Sequence, residues 1–310
     1  MTDFLSYLKE YLRNSSLKAL LFIVLFVSLL IFINYQFGIE SRIRSLHPWY
    51  ASLLSFFLFY GFVLFFTWAL QFSFGHPPRT LLHNRPFLYL LLLAPLYFSS
   101  KMVHWDLSFL VPSAWPASWN HYAQIVIQLP AKLALLLLFL WGCRKWDDRV
   151  DSFYGLTTKN FKAGPYFLLL LCMVPLIVLA STRPDFLHAY PKVRSIYFLN
   201  GYTKPVWPWG LLYEISYGLD FLSIELFFRG LLVIGLVRYA GPYVILPMAA
   251  FYCTVHFGKP LGECISSFFG GLVLGVIAWR TRSIFGGLIV HLGIAWLMEL
   301  GGWLGNGGPG

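Results

Sequence analysis

The chain has 310 residues, 58% hydrophobic, 19% aromatic and only 12% charged, with a formal net charge of +10. Soluble domains run at about 45–50% apolar and about 25% charged, so this balance excludes an ordinary soluble protein and predicts a polytopic membrane protein. In a soluble chain such a charge would point to nucleic acid, but no basic stripe or RNA-binding signature accompanies it. Lys and Arg set in loops against anionic headgroups account for it, so membrane lipids are expected partners and nucleic acid is not.

A span takes about 20 mostly apolar residues. The first apolar run, from Leu17 to about Ile33, is longer than a signal-peptide core of about 7–15 residues and no A-x-A site follows, so it reads as the first transmembrane helix. Further helices are predicted over 50–73, 86–100, 121–143, 165–181, 209–237, 241–257, 262–280 and 284–304, the third of the series being short enough to be re-entrant. The expectation is an all-α transmembrane bundle of about eight to nine helices. Polar connectors fall at 37–48, 74–85, 144–163 and 182–206, and the "HWDLSF" segment within 101–120 suits the membrane interface. One connector carries Arg144, Lys145, Arg149, Lys159 and Lys162, another Arg183, Lys192, Arg194 and Lys204; this modest bias places the N-terminus inside. Cys143, Cys172, Cys253 and Cys264 have no CxxC spacing, which argues against a disulfide framework or a zinc knuckle.

The two halves differ in chemistry. Residues 1–205 form a quiet set of helices and loops, with Lys132 the lone charge in mid-span. Residues 206–304 hold nearly all the buried polar groups, and 305–310 read as a flexible tail. Gly271 and Gly275 form a GxxxG, and Gly286–Gly287 open the last helix; such small residues let helix backbones approach closely.

An ionisable group inside a bilayer costs about 2.5–3.5 kcal/mol on insertion scales, so it must face a partner or a wet cavity. The helix from about 209 carries Glu214, Asp220, Glu225 and Arg229. Arg229 follows Glu225 by one turn, which reads equally as a structural ion pair and as a functional one. Two histidines on the following helices, His256 one turn after Tyr252 and His291 in "GGLIVHLGIAW", tip the balance. Glu and His polarise a water, and a second His donates to an oxyanion or binds a metal. Together they point to hydrolysis of an amide in a protein-lined cavity.

Those residues resemble the CPBP family of intramembrane proteases, the CAAX-processing and bacteriocin-processing enzymes also called the ABI family. Its pattern is EExxxR, FxxxH and HxxxN on three helices; here it stands as "IELFFR" at 224–229, "YCTVH" at 252–256 and "HLGIA" at 291–295. The similarity covers roughly 209–300. It implies an endopeptidase acting on a membrane-associated peptide or protein, in which Glu225 or a substitute activates water together with His256, His291 assists the oxyanion or a metal, and Arg229 holds Glu225 ionised and oriented. It also implies either a divalent metal, zinc among the candidates, held by His256, His291 and Glu225, or a metal-free glutamate-dependent reaction. A bacterial inner membrane is the expected location.

Three positions depart from the pattern: Ile224 replaces the first glutamate, Tyr252 the phenylalanine and Ala295 the asparagine. Compensating groups are Glu225 itself, then Glu263 at a helix start, Asp220 one turn before Ile224, and Glu299 one turn beyond Ala295, with a structural role the commoner fate of the last three; Tyr252 is a candidate for substrate contact. The competing reading is a pseudoprotease that keeps the fold to bind a membrane protein or lipid. A transporter fits less well, since no paired broken helices appear in the two halves.

Overall fold

The computed structural model describes residues 2–145, 152–159 and 161–307. Arg149 of the basic connector and residues 308–310 of the tail lie outside the described residues. Among the described residues thirteen α-helices follow in order: α1 Thr2–Asn14, α2 Leu17–Phe37, α3 Ile39–Arg44, α4 Trp49–Leu70, α5 Arg85–Met102, α6 Ala117–Lys145, α7 Gly164–Ala180, α8 Pro184–Ala189, α9 Trp207–Glu225, α10 Val237–Ala240, α11 Ile245–Thr254, α12 Leu261–Thr281 and α13 Phe285–Gly305. No strand occurs among the described residues, in keeping with the all-α expectation.

Among the described residues, five helical stretches are long and apolar enough to cross a membrane: Leu17–Phe37, Trp49–Gly75, Ala117–Arg144, Leu261–Thr281 and Phe285–Gly305. The chain is therefore an integral membrane protein by length and composition. Helical segments stand at the other predicted stretches too, but those are short or polar, so the count of eight to nine spans does not follow from them. Helix α5 has 18 residues with Pro95 inside it and Lys101 in its last turn. Helix α7 has 17 residues and α11 only ten, while α9 carries Glu214, Asp220 and Glu225.

Local signals explain the boundaries. Ser16 caps α2 by accepting the Ala19 N–H, and the helix stops where Gly38 turns left-handed at φ 61° and returns its N–H to the Asn34 carbonyl. Asn84 caps α5 in the same manner through the Phe87 N–H at 3.0 Å. Each cap satisfies donors or acceptors that a helix end leaves open.

The chain divides into two compact units. The first comprises 1–104, 142–161 and 226–285. Its centre is α11 and a π-helical segment, Leu226–Gly235, both buried at every position. The glycine face of α12 lies on α11, as the GxxxG spacing predicts. A Cβ at Gly271 would stand 2.9 Å from Tyr252 Cδ1 and one at Gly275 2.5 Å from Met248 Cε. Helix α1, which the apolar runs did not reveal because only one of its faces is apolar, is tied to α12 by Glu10–Arg280 at 2.5 Å and by Tyr11 against Trp279.

The second unit comprises 105–141, 162–225 and 286–310. Ser216 Oγ donates to the Val126 carbonyl at 2.6 Å, fastening α9 to α6. Helices α9 and α13 run antiparallel. Glu225 meets Gly287, Phe221 meets His291, Gly218 meets Leu292 and Glu214 meets Trp296. A second apolar cluster of Ile177, Phe186, Tyr190 and Met298 seats α7 and α8 on α13.

Candidate active site

Glu225 closes α9. It is fully buried, and its Oε1 accepts a hydrogen bond from His291 Nδ1 at 3.0 Å. The His291 side chain is 14% exposed, so the pair has a dry carboxylate and a partly accessible imidazole. Phe221, one turn before Glu225, lays its ring edge-on to His291 with centroids 4.8 Å apart. Gly287, one turn before His291, faces Glu225 with no side chain between them. Four residues at i and i+4 on two antiparallel helices thus form one locked contact. With Nδ1 committed to the carboxylate, proton traffic on His291 falls to Nε2.

Arg229, Tyr252 and His256 assemble in the first unit. After Glu225 the backbone changes from α to π, with i→i+5 bonding through Gly235. A stripe drawn at about 100° per residue therefore ends at Glu225. The Arg229 guanidinium is fully buried and stands 4.3 Å from the centroid of the Tyr252 ring. The Tyr252 ring meets the His256 ring edge-on at 4.6 Å, and His256 Nδ1 donates to the Tyr252 carbonyl at 2.9 Å. Tyr252 is thus the platform on which the other two rest, a cation–π contact on its face and an imidazole beside it. The change from phenylalanine keeps that ring.

The compensating carboxylates sit in local structure. Glu263 Oε1 pairs with Lys259 Nζ at 2.7 Å across one turn at the start of α12. Asp220 accepts from Ser223 Oγ at both its carbonyl, 2.7 Å, and its Oδ1, 3.2 Å. Glu299 accepts the backbone N–H groups of Lys192, 2.7 Å, and Val193, 3.1 Å, pinning the 192–201 segment to α13. Ile224 is half-buried and Ala295 buried.

A catalytic zinc takes three protein ligands. Among the described residues no three His, Cys, Asp or Glu side chains group as a ligand set. Glu225 and His291 supply two donors, and these bond to each other.

Sequence reasoning named both members of the Glu225–His291 pair but not Phe221 or the part played by Gly287. The signal was present: each stands four residues before a named residue on its own helix. The second unit also holds an apolar cavity of about 540 Å³ lined by Trp115, Trp119, Tyr122, Val126, Trp209 and Leu212. Tyr122 hydroxyl donates to the Trp209 carbonyl at 2.7 Å, which consumes the polar end of one lining ring.

A buried carboxylate hydrogen-bonded to a partly exposed imidazole is an arrangement that can transfer a proton away from bulk water. Residues 206–297 match the family model of the type II CAAX prenyl endopeptidases, Rce1-like. That match is consistent with the CPBP intramembrane proteases that the motifs resemble. The match covers under a third of the chain and takes in Glu225, Arg229, His256 and His291. Neither the curated proteins nor the solved structures yield a match.

Proposed function

We propose that this protein is an intramembrane endopeptidase of the CAAX-processing type, with Glu225 and His291 as its acid–base pair. The observation that carries the reading is the 3.0 Å hydrogen bond between a fully buried carboxylate and a partly exposed imidazole. His291 Nε2 takes a proton from water as the water oxygen attacks the peptide carbonyl. Glu225, bonded to Nδ1, stabilises the imidazolium that forms. As the tetrahedral intermediate collapses, the C–N bond breaks and Nε2–H delivers the proton to the leaving amine. This is the orienting logic of a carboxylate–histidine pair acting on water in place of a serine.

The matched family and the second unit support a prenylated substrate. A prenylated peptide brings one long apolar group, and the cavity at the start of α9 offers an aromatic wall without polar demands. From Leu212 to Glu225 the helix rises about 20 Å at about 1.5 Å per residue, so an apolar chain seated there would have to run along α9 to bring its peptide end to Glu225. The resemblance assigns Arg229 and His256 to the same machinery. Cleavage of a quenched prenylated CAAX peptide by the purified full chain tests the reading: turnover that falls at least 100-fold in both Glu225→Gln and His291→Ala supports it. Wild-type protein no faster than those variants refutes it.

The second reading, a pseudoprotease binding a membrane protein or lipid, is favoured by Ile224 and Ala295 at motif positions. It expects tight binding of the prenylated peptide with no product from any variant.

A further inference from the structure

We infer that Gly287 is a positioning residue for the Glu225 carboxylate, selected for the atom it lacks. The inference rests on reading Glu225–His291 as the acid–base pair. A Cβ at 287 would overlap Glu225 Oε2 and stand 3.1 Å from Cδ. A carboxylate is normally the movable end of its side chain, and such an overlap would be relieved cheaply. Here it is not. Glu225 is fully buried, its Oε1 is bound to His291 Nδ1, and the His291 ring is held edge-on by Phe221 at 4.8 Å.

Relieving the overlap takes a shift of about 1 Å, which carries a 3.0 Å hydrogen bond past its useful range. A misplacement of about 1 Å costs about 10²-fold in rate. The backbone of α13 therefore serves as a wall against which the carboxylate is set. One turn later the same helix presents the imidazole that the carboxylate orients. Neighbouring glycines do other work. A Cβ at Gly286 would run into the Tyr166 ring, and one at Gly293 into the Leu170 side chain.

Gly287→Ala in the full chain is expected to lower kcat about 100-fold with KM within threefold of wild type. In the Glu225→Gln background, where the ionised partner is already absent, the same substitution is expected to cost less than threefold more. Gly293→Ala serves as the packing control and is expected to leave kcat within threefold. A second arm needs no activity. In the Glu225→Ala background the carboxylate is gone, so Gly287→Ala is expected to raise the thermal midpoint or leave it unchanged, whereas it lowers the midpoint of the wild type. Equal midpoint losses in both backgrounds overturn the inference even if Glu225→Gln abolishes turnover. If the wild type shows no turnover, the function proposal fails while the midpoint comparison still decides the role of Gly287.

Discussion

Glu225→Gln isolates the charge of the candidate acid–base pair while keeping its shape. The amide oxygen still accepts from His291 Nδ1, so the 3.0 Å contact and the packing of Phe221 survive. What disappears is the attraction between carboxylate and imidazolium when His291 holds the proton. Charge centres about 4 Å apart at an effective dielectric near 20 interact by about 4 kcal/mol. Glu225 is fully buried, so solvent screening offsets little of this. At about 1.36 kcal/mol per decade the loss is about 10³-fold in rate. The assay is single-turnover cleavage of a prenylated peptide by protein in nanodiscs, which separates chemistry from product release, with thermal unfolding run beside it. A Glu225→Gln rate within threefold of wild type, at an unchanged midpoint, would refute the assignment.

Glu299→Ala leaves two backbone N–H groups without their carboxylate; charge-assisted bonds contribute about 1.5–3 kcal/mol each, so thermal unfolding in detergent should show a loss of about 3 kcal/mol or more. Glu263→Gln breaks only a partly exposed pair with Lys259, worth about 0.2–1 kcal/mol, and both turnover and midpoint should stay within error; a 100-fold loss of turnover would instead make Glu263 the missing base. Arg229→Met removes the cation over the Tyr252 ring, a contact contributing about 2 kcal/mol when desolvated, and should lower the midpoint, with Tyr252→Phe close to wild type because the ring remains. Trp119→Ala opens the apolar cavity and should raise KM for a prenylated peptide while leaving an unprenylated one unaffected.

Much of this architecture was legible because helix signals are local. Apolar run length is read directly along the chain. The meeting of α11 with α12 was foreshadowed by Gly271 and Gly275, since two glycines one turn apart on an apolar helix have little use except close approach. The partner of Glu225 was not legible. The resemblance pairs the water-activating carboxylate with His256, and only the antiparallel pairing of α9 with α13 brings His291 to Glu225. The number of spans was not legible for a related reason: apolar stretches such as α11 are buried by protein, and burial in a core and burial in lipid leave the same composition. The change to π bonding after Glu225 also escaped, because "LFFRGLLVIG" carries no cap, proline or charge pattern that distinguishes it from an α-helix.

That π segment bears on how the chain varies over evolutionary time. A π turn is an α turn that has accepted one extra residue, so Leu226–Gly235 is a natural place for an insertion or deletion of one position. Losing a residue there would restore α bonding within the segment. Motif spacing counted along aligned sequences would then change by one while the chemistry stayed in place. Comparisons of Glu-to-Arg spacing across related chains should treat this segment as elastic.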